Sequence, residues 1–185
     1  NAMAISGSAE TSIRSLIAGD PHLAMAIPNT WYRAQIEWPH PEGGAHRVNG
    51  VSLPGVPGIV IGSNGNIAWT FTNATVDTGD LVPVDLNQVA PELLYHFQGE
   101  SLEFEERVDV ITLKNGDTEE VASTWTVFGP IVARTAKGKS LAYKWTFHDA
   151  AAINFDILNL ATATSVDEAL AIAGSSGMPN HNLFV

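Results

Sequence analysis

Apolar and polar residues alternate over short stretches of this chain, which is the pattern of half-buried β-strands. The clearest stretch is 31–38, where aromatic or apolar side chains alternate with polar ones. The intervening segments are rich in glycine, proline and asparagine, and Asn64-Gly65 and Asn115-Gly116 are typical of tight hairpin turns. The pattern predicts strands over 2–6, 15–18, 31–38, 48–53, 58–61, 67–72, 102–113, 119–127 and 140–147.

Apolar residues recur at helical spacing only late in the chain. We predict helical structure in 150–160 and a helix over 166–173, with Ser165 as its N-cap. Gly174 and Gly177 are expected to end that helix, and a strand is expected to begin before Val185. The elements predict an α+β fold that is rich in antiparallel strands, with residues 1–185 forming a single partial domain.

Composition excludes several classes of function. The formal net charge of −11 argues against binding to nucleic acid or to an anionic membrane surface, because both require basic patches. The chain has no cysteine, which excludes a disulfide framework, a thiol nucleophile and a cysteine-ligated zinc. No apolar run approaches the ~18 residues of a membrane span.

The histidines and aspartates leave their roles open when each is read alone. The six histidines show no His-Glu-x-x-His spacing, and the chain has no Gly-x-Ser-x-Gly or phosphate-binding loop. His22 follows Asp20 and Pro21, so it is either a turn residue or a polar partner for a terminal amine. Asp77 and Asp80 either cap turns or bind a cation.

Several blocks are more informative together than alone. They are residues 1–7, 18–23 (Ala-Gly-Asp-Pro-His-Leu), 28–32 (Pro-Asn-Thr-Trp-Tyr), 54–62, 64–73 (Asn-Gly-Asn-Ile-Ala-Trp-Thr-Phe-Thr-Asn), 128–131 and 179–185 (Pro-Asn-His-Asn-Leu-Phe-Val). In order and spacing these blocks resemble the start of the β chain of the penicillin acylase family. The blocks cover most of the first 80 residues and the end of the chain.

The resemblance implies a partial αββα sandwich of the N-terminal-nucleophile (Ntn) hydrolase type, with no cofactor needed for chemistry. In this family a precursor cuts itself before a serine, which becomes the first residue of the β chain and attacks an amide carbonyl. Its own α-amine acts as the base, which suits a group with an ordinary pKa near ~8. The nucleophile would precede Asn1. The expected activity is deacylation of a small N-acyl compound of the β-lactam, acyl-homoserine-lactone or lipopeptide type.

The resemblance also assigns roles to individual residues. His22 would orient the nucleophile and its amine, while the backbone N–H of Asn73 and the side chain of Asn182 would bind the oxyanion. Leu23, Ile61 and Leu160 fall near acyl-pocket positions, although each also suits an ordinary core. Because these three are aliphatic, we expect an alkyl chain to be preferred over a phenylacetyl group.

A structural Ca²⁺ is implied at Asp77, the carbonyl of Gly79 and Asp80, since Ca²⁺ prefers oxygen ligands. The implied partner is the α chain of the same precursor, and the implied location is periplasmic or secreted. Without that α chain we expect the chain to be inactive and to self-associate through uncovered apolar surface.

Two other interpretations stay open at this point. The strands and acidic loops also suit a non-catalytic secreted binding module, with Ca²⁺ at Asp77 and Asp80 and a carbohydrate on the aromatic segment 31–38. A relative that has lost catalysis is the third interpretation. The residue encoded before Asn1 separates them, because Ser, Thr or Cys there supports the amidase.

Overall fold

Antiparallel strands make up most of the computed structural model, which describes residues 1–8, 14–89 and 92–185. One α-helix, α1 (Val166–Ser175), is described late in the chain, preceded by the 3₁₀ turns Thr146–His148, Ala150–Ala152 and Asp156–Ala161. The strands are β1 (Ala2–Ile5), β2 (Leu16–Gly19), β3 (Tyr32–Pro39), β4 (Ala45–Ser52), β5 (Ile61–Ser63), β6 (Ala68–Asn73), β7 (Gly79–Val84), β8 (Leu86–Val89), β9 (Glu92–Phe97), β10 (Glu100–Glu103), β11 (Glu105–Thr112), β12 (Thr118–Thr126), β13 (Gly129–Arg134), β14 (Ser140–Trp145) and β15 (His181–Phe184).

The chain divides into two compact units, the first formed by 1–76 with 153–185 and the second by 77–152. The first unit contains an antiparallel sheet in the order β15-β6-β5-β4-β3 and the separate hairpin β1-β2. That hairpin packs against β6 and β15. The prediction of a single domain over 1–185 stays a prediction, because compactness alone does not show whether the units fold independently.

Trp69 and Leu160 lie at the centre of the first unit's core, and each is 1% exposed. The indole N–H of Trp69 donates to the carbonyl of Val60 at 2.9 Å, which satisfies the one polar atom of that side chain. Asn64, in the turn between β5 and β6, joins the sheet to the segment that follows Leu160. Its amide nitrogen donates to the carbonyls of Leu160, Ala161 and Ala163 at 3.1, 3.3 and 2.7 Å.

The second unit contains a sheet in the order β11-β12-β13-β14-β7 and a smaller one in the order β10-β9-β8. Val84, Tyr95 and Ala142 form its buried core. The hydroxyl of Tyr95 accepts the N–H of Val127 at 2.9 Å, so this buried polar group is also satisfied. Within the described residues, no helix of the chain is both long and apolar enough to cross a bilayer.

The sequence pattern predicted most strands of the first unit and the helix with its cap. Ser165 accepts the N–H of Glu168, as expected of an N-cap, but α1 continues through Gly174 to Ser175. The segment 150–160 forms 3₁₀ turns rather than a regular helix, and 102–113 is divided between β10 and β11. Strands β7, β8, β9 and β13 were not predicted, because their sequences lack clear alternation.

The prediction of a strand over 58–61 was wrong for its first three residues, since β5 begins at Ile61. Gly50 and Gly62 are direct cross-strand partners. A Cβ atom on either glycine would lie 2.6 Å from Cγ2 of Ile59. The side chain of Ile59 therefore packs over this glycine pair, and the N–H of Val60 donates to the Val51 carbonyl at 2.9 Å just before β5 begins.

Candidate active site

The amino end of β1 lies beside His22. Asn1 and Asp20 exchange two backbone hydrogen bonds: the amine of Asn1 donates to the Asp20 carbonyl at 3.0 Å, and the Asp20 N–H donates to the Asn1 carbonyl at 2.7 Å. This pair extends the β1–β2 ladder by one residue beyond Ala2. Nε2 of His22 lies 3.4 Å from the Asn1 amine and 3.8 Å from a carboxylate oxygen of Asp20. An imidazole therefore stands between a terminal amine and a carboxylate.

The carboxyl end of β6 carries a backbone N–H that its neighbouring strands do not use. Asn73 pairs with His181 of β15, and the N–H of Ala74 donates to the Asn180 carbonyl at 3.3 Å. Since donors alternate along a strand, the N–H of Asn73 faces away from β15. On that other side, β5 pairs with β6 no further than Trp69. The Asn73 amide thus lies beyond the end of the ladder, where Asn73 lines a cavity.

Asn182 extends its carboxamide over the end of β6. Its Nδ2 donates to Oγ1 of Thr72 at 3.0 Å and lies 3.4 Å from the carbonyl oxygen of Asn73. Asn182 is the cross-strand partner of Thr72, and β1 packs against β15. A side-chain N–H and a backbone N–H, from Asn182 and Asn73, are therefore close together near the amino end of the chain.

Asn1, Asp20, His22 and Asn73 border a cavity of about 830 Å³ in the first unit, together with His181. The apolar part of its lining includes Leu23, Trp31, Leu53, Ile59, Ile61, Phe71, Ile153, Phe155, Leu158 and Met178. The cavity therefore combines a few hydrogen-bonding and ionisable groups with a largely apolar wall.

The sequence-predicted pocket residues have different positions. Leu23 and Ile61 line the cavity, and Leu23 is 49% exposed. Leu160 is 1% exposed, packs in the core and is not one of the cavity-lining residues in the described part of the chain. Asn182 is likewise not one of the cavity-lining residues that the structure describes, and it lies on β15, which pairs with the strand of Asn73. The aromatic and aliphatic residues of segment 153–158 form part of the wall, and their helical spacing in the sequence did not indicate this role.

His181 provides a second imidazole to the cavity, and no sequence motif assigned it a role. Its Nδ1 lies 2.5 Å from the carbonyl oxygen of Pro179. Because a carbonyl only accepts, Nδ1 carries the proton, and Nε2 of the neutral ring is an acceptor. The ring also meets Phe71 edge to face, with 5.9 Å between the centroids. The alternation of residues before Val185 is the only sequence signal that places His181 on a strand.

The expected calcium ligands lie in the second unit. Asp80 is the cross-strand partner of Lys144 in the β7–β14 pair, so the two side chains leave the sheet on the same face. Among residues 1–8, 14–89 and 92–185, no group of three or more His, Asp or Glu side chains is arranged to hold a metal ion. Asp77, the Gly79 carbonyl and Asp80 supply fewer oxygens than the six to eight that Ca²⁺ takes. Calcium therefore stays a prediction that requires further ligands.

The aromatic segment 31–38 does not form an exposed platform for a sugar. Trp31 lines the cavity, and Trp38 is half-buried against the core. Trp38 also stacks on His46, with 5.0 Å between centroids and 21° between planes. Tyr32 is the exposed aromatic of this segment, at 72%. A single exposed ring gives little support to the carbohydrate-binding interpretation.

The fold has a solved counterpart. The structure of a thermostable penicillin G acylase from Alcaligenes faecalis matches 91% of this chain, and 30% of that chain, with a TM-score of 0.75 at 22% identity. The chain thus has the Ntn-hydrolase fold, as its sequence predicted. The match also confirms an α+β fold of mostly antiparallel strands.

The family follows from the sequence comparison. The family model for penicillin amidase matches residues 1–185, and the chain belongs to the penicillin amidase family.

Three curated relatives place the chain within longer proteins. The acyl-homoserine lactone acylase QuiP of Pseudomonas aeruginosa is 33% identical over 114 residues, which are 62% of this chain and 13% of that protein. The acyl-homoserine lactone acylase PvdQ of Pseudomonas fluorescens Pf-5 is 32% identical over 136 residues, 71% of this chain and 17% of that protein. Penicillin acylase 2 proenzyme of Pseudomonas sp. SE83 is 27% identical over 174 residues, 92% of this chain and 21% of that protein. The chain therefore spans at most about a fifth of these relatives.

Proposed function

We propose that this chain is the part of an amide-hydrolysing acylase that directly follows its nucleophile and carries its oxyanion-binding groups. One observation supports the proposal above the others: the amino end, His22 and the unpaired end of β6 border the same apolar cavity. An acylase requires a nucleophile, hydrogen-bond donors for the tetrahedral oxyanion and an apolar site for the acyl group. The cavity combines the position next to the proposed nucleophile with a candidate donor and an apolar wall within one unit.

The nucleophile in this proposal is a serine that precedes Asn1 in the complete protein. The nitrogen of Asn1, here an amine, then stands for the peptide N–H that continues the β1–β2 ladder. Since Asn1 and Asp20 exchange both hydrogen bonds, the next pair, opposite Pro21, is a non-hydrogen-bonded one. Pro21 has no N–H in any case. The amine of the preceding residue would therefore be free of the ladder and next to His22, as a base requires.

Two donors would hold the oxyanion that forms when the serine attacks. The backbone N–H of Asn73 faces away from β15, and the carboxamide of Asn182 lies over the same strand end. The β6–β15 pairing fixes the Asn73 amide and the backbone of Asn182, so only the Asn182 side chain needs a further contact to hold it. Removing one such donor costs an acyl-transfer enzyme on the order of 10²–10³ in kcat.

The apolar part of the cavity would take the acyl group. Leu23 and Ile61 are aliphatic, and Leu53, Ile153 and Leu158 add further alkyl surface. We propose an alkyl-chain amide as substrate, in keeping with the relatives named acyl-homoserine lactone acylases. The α chain of the same precursor would complete the enzyme.

The complete precursor tests this function directly. Replacing the residue before Asn1 with alanine should leave the precursor uncut and without amide hydrolysis, because the attacking oxygen is gone. Asn182→Ala should be processed and fold but lose on the order of 10²-fold in kcat. Persistent chain cutting in the first variant, or a nucleophile-incompetent residue encoded at that position, would refute the proposal.

Substrate preference is a separate measurement on the active enzyme. Hexanoyl, dodecanoyl and phenylacetyl amides of one amine should be offered in competition, with kcat/KM compared for each. We expect either alkyl amide to be preferred. A clear preference for the phenylacetyl amide would contradict the alkyl assignment while leaving the acylase function intact.

A further inference from the structure

Thr72 stands next to the proposed oxyanion site without a role in the reaction described so far. It lies on β6 directly opposite Asn182, is half-buried and lines the cavity. Its hydroxyl oxygen accepts a hydrogen bond from Nδ2 of Asn182 at 3.0 Å. This is the shorter of the two contacts that hold that nitrogen, the other being 3.4 Å to the Asn73 carbonyl.

We propose that Thr72 is a positioning residue, whose hydroxyl holds the Asn182 carboxamide with an N–H turned toward the oxyanion. The inference rests on the proposed acylase function. A primary amide nitrogen carries two N–H donors. One N–H of Asn182 is donated to Thr72. The second N–H makes only the 3.4 Å contact with the Asn73 carbonyl, so binding an oxyanion costs it no more than that weak contact.

The orientation of this amide matters because its two ends have opposite polarity. The terminal torsion of asparagine is broad and nearly two-fold, so an exposed carboxamide readily turns its oxygen to where its nitrogen was. Asn182 is exposed. An oxygen in that place would repel the developing negative charge instead of stabilising it.

The Asn73 carbonyl selects the productive orientation, and the Thr72 hydroxyl, which can donate as well as accept, anchors the amide in it. The Asn73 carbonyl only accepts, so a flipped amide would bring two acceptor oxygens together at about the 3.4 Å seen for its nitrogen. The Thr72 hydroxyl adds the short hydrogen bond. Threonine is restricted at χ1, and its backbone is fixed by pairing with Asn182 itself, so the acceptor is held in place.

Thr72→Val is the decisive variant, because valine has nearly the shape of threonine and lacks the acceptor. In the complete enzyme, kcat should fall about ten-fold with KM little changed, since a misoriented donor loses part of the ~10²–10³ that a missing one costs. Thr72→Ser, which keeps the hydroxyl, should restore most of kcat. With Asn182→Ala already present, Thr72→Val should cause almost no further loss.

Thr112→Val is a matched control away from the site. Thr112 is exposed at the end of β11 in the second unit, so valine there should leave kcat unchanged. Thermal unfolding of each variant identifies any that fail to fold. If Thr72→Val itself misfolds, Thr72→Ala and the serine variant are compared instead.

The outcomes separate this inference from the function on which it rests. A kcat for Thr72→Val within two-fold of the parent, while Asn182→Ala is strongly impaired, overturns the role of Thr72 alone. An additive loss in the double variant overturns it as well. An unimpaired Asn182→Ala enzyme overturns both the oxyanion role of Asn182 and the role of Thr72.

Discussion

Gly19 controls how closely the hairpin that carries the amino end approaches the main sheet. It is the last residue of β2 and faces Thr70 of β6. A Cβ atom at residue 19 would lie 2.9 Å from Cβ of Thr70 and closer still to the Thr70 hydroxyl oxygen. Gly19→Ala therefore cannot be accommodated without movement, whichever rotamer Thr70 adopts.

The size of that movement follows from the contact distances. Rotation about χ1 can turn the Thr70 hydroxyl away, but it leaves Cβ in place. Ordinary contact begins at 3.4 Å, so the strands must separate by about 0.5 Å from the 2.9 Å contact. Overpacking of this kind costs about 1–3 kcal/mol of stability. Because Gly19 immediately precedes Asp20 and lies three residues before His22, the displacement would reach the amino end.

Activity should be affected more than stability. A displacement of about 1 Å at reacting groups can cost on the order of 10²-fold in rate, so half of that should lower kcat/KM by about ten-fold. Both quantities are measured on the complete enzyme, by amide hydrolysis and by denaturant unfolding. Thr70→Ala should partly restore activity in the Gly19→Ala background, because it removes the hydroxyl and methyl groups.

Gly174→Ala is the matched control, since a Cβ there would meet nothing within 4 Å and the residue is helical. It should stabilise the protein by about 0.5–1 kcal/mol without changing activity. A Gly19→Ala enzyme as active and as stable as the parent would refute the close-approach reasoning. Loss of activity in the Gly174 variant would show that the assay does not report on the hairpin.

Three other predictions follow from single contacts. Asn64→Asp replaces a side-chain amide that donates to three backbone carbonyls with a carboxylate that cannot donate. The free energy of unfolding, measured with denaturant, should fall by at least about 2 kcal/mol. An unchanged free energy of unfolding would contradict the bridging role. Hydrogen bonds from the Thr164 N–H and hydroxyl lower the pKa of Glu168 below its ordinary 4.5. The carboxylate therefore stabilises the folded protein fully above pH 4.5, and this stabilisation is lost as the pH falls through the lowered pKa. The difference in Tm between the parent and Glu168→Gln should accordingly vanish in acid. Leu160→Ala should cost about 2–5 kcal/mol without altering acyl preference, whereas the half-exposed Leu23→Ala should alter KM for alkyl amides with little loss of Tm.

The sequence predicted those parts of the fold whose signals are local. Ser165 could be predicted as an N-cap because the interaction is local: its hydroxyl accepts the N–H of Glu168, three residues later. Asn64-Gly65 reads as a turn because Gly65 adopts a φ of 93°, which few other residues tolerate. The second unit gave weaker signals, since β11 is exposed along its whole length and its alternation does not correspond to a buried face.

The candidate site residues were indicated by the family resemblance and not by any local sequence pattern. His22 and Asn182 could be singled out from motifs, and the structure places both near the amino end. The role of Asn73 depends on its backbone, which sequence pattern does not show. Thr72 was missed because a threonine in a strand is ordinary, and only its 3.0 Å contact with Asn182 distinguishes it.

The candidate chemistry arises where strand pairing stops. Every backbone N–H must find a partner, and within a sheet the neighbouring strand supplies it. The β1–β2 ladder reaches the hydrogen-bonded pair Asn1 and Asp20, and the next position, opposite Pro21, is a non-hydrogen-bonded one. On β6, pairing with β5 stops at Trp69, and Asn73 lies beyond that end and lines the cavity. A longer β5 would consume the Asn73 donor, so the proposed oxyanion site requires β5 to end before it reaches Asn73.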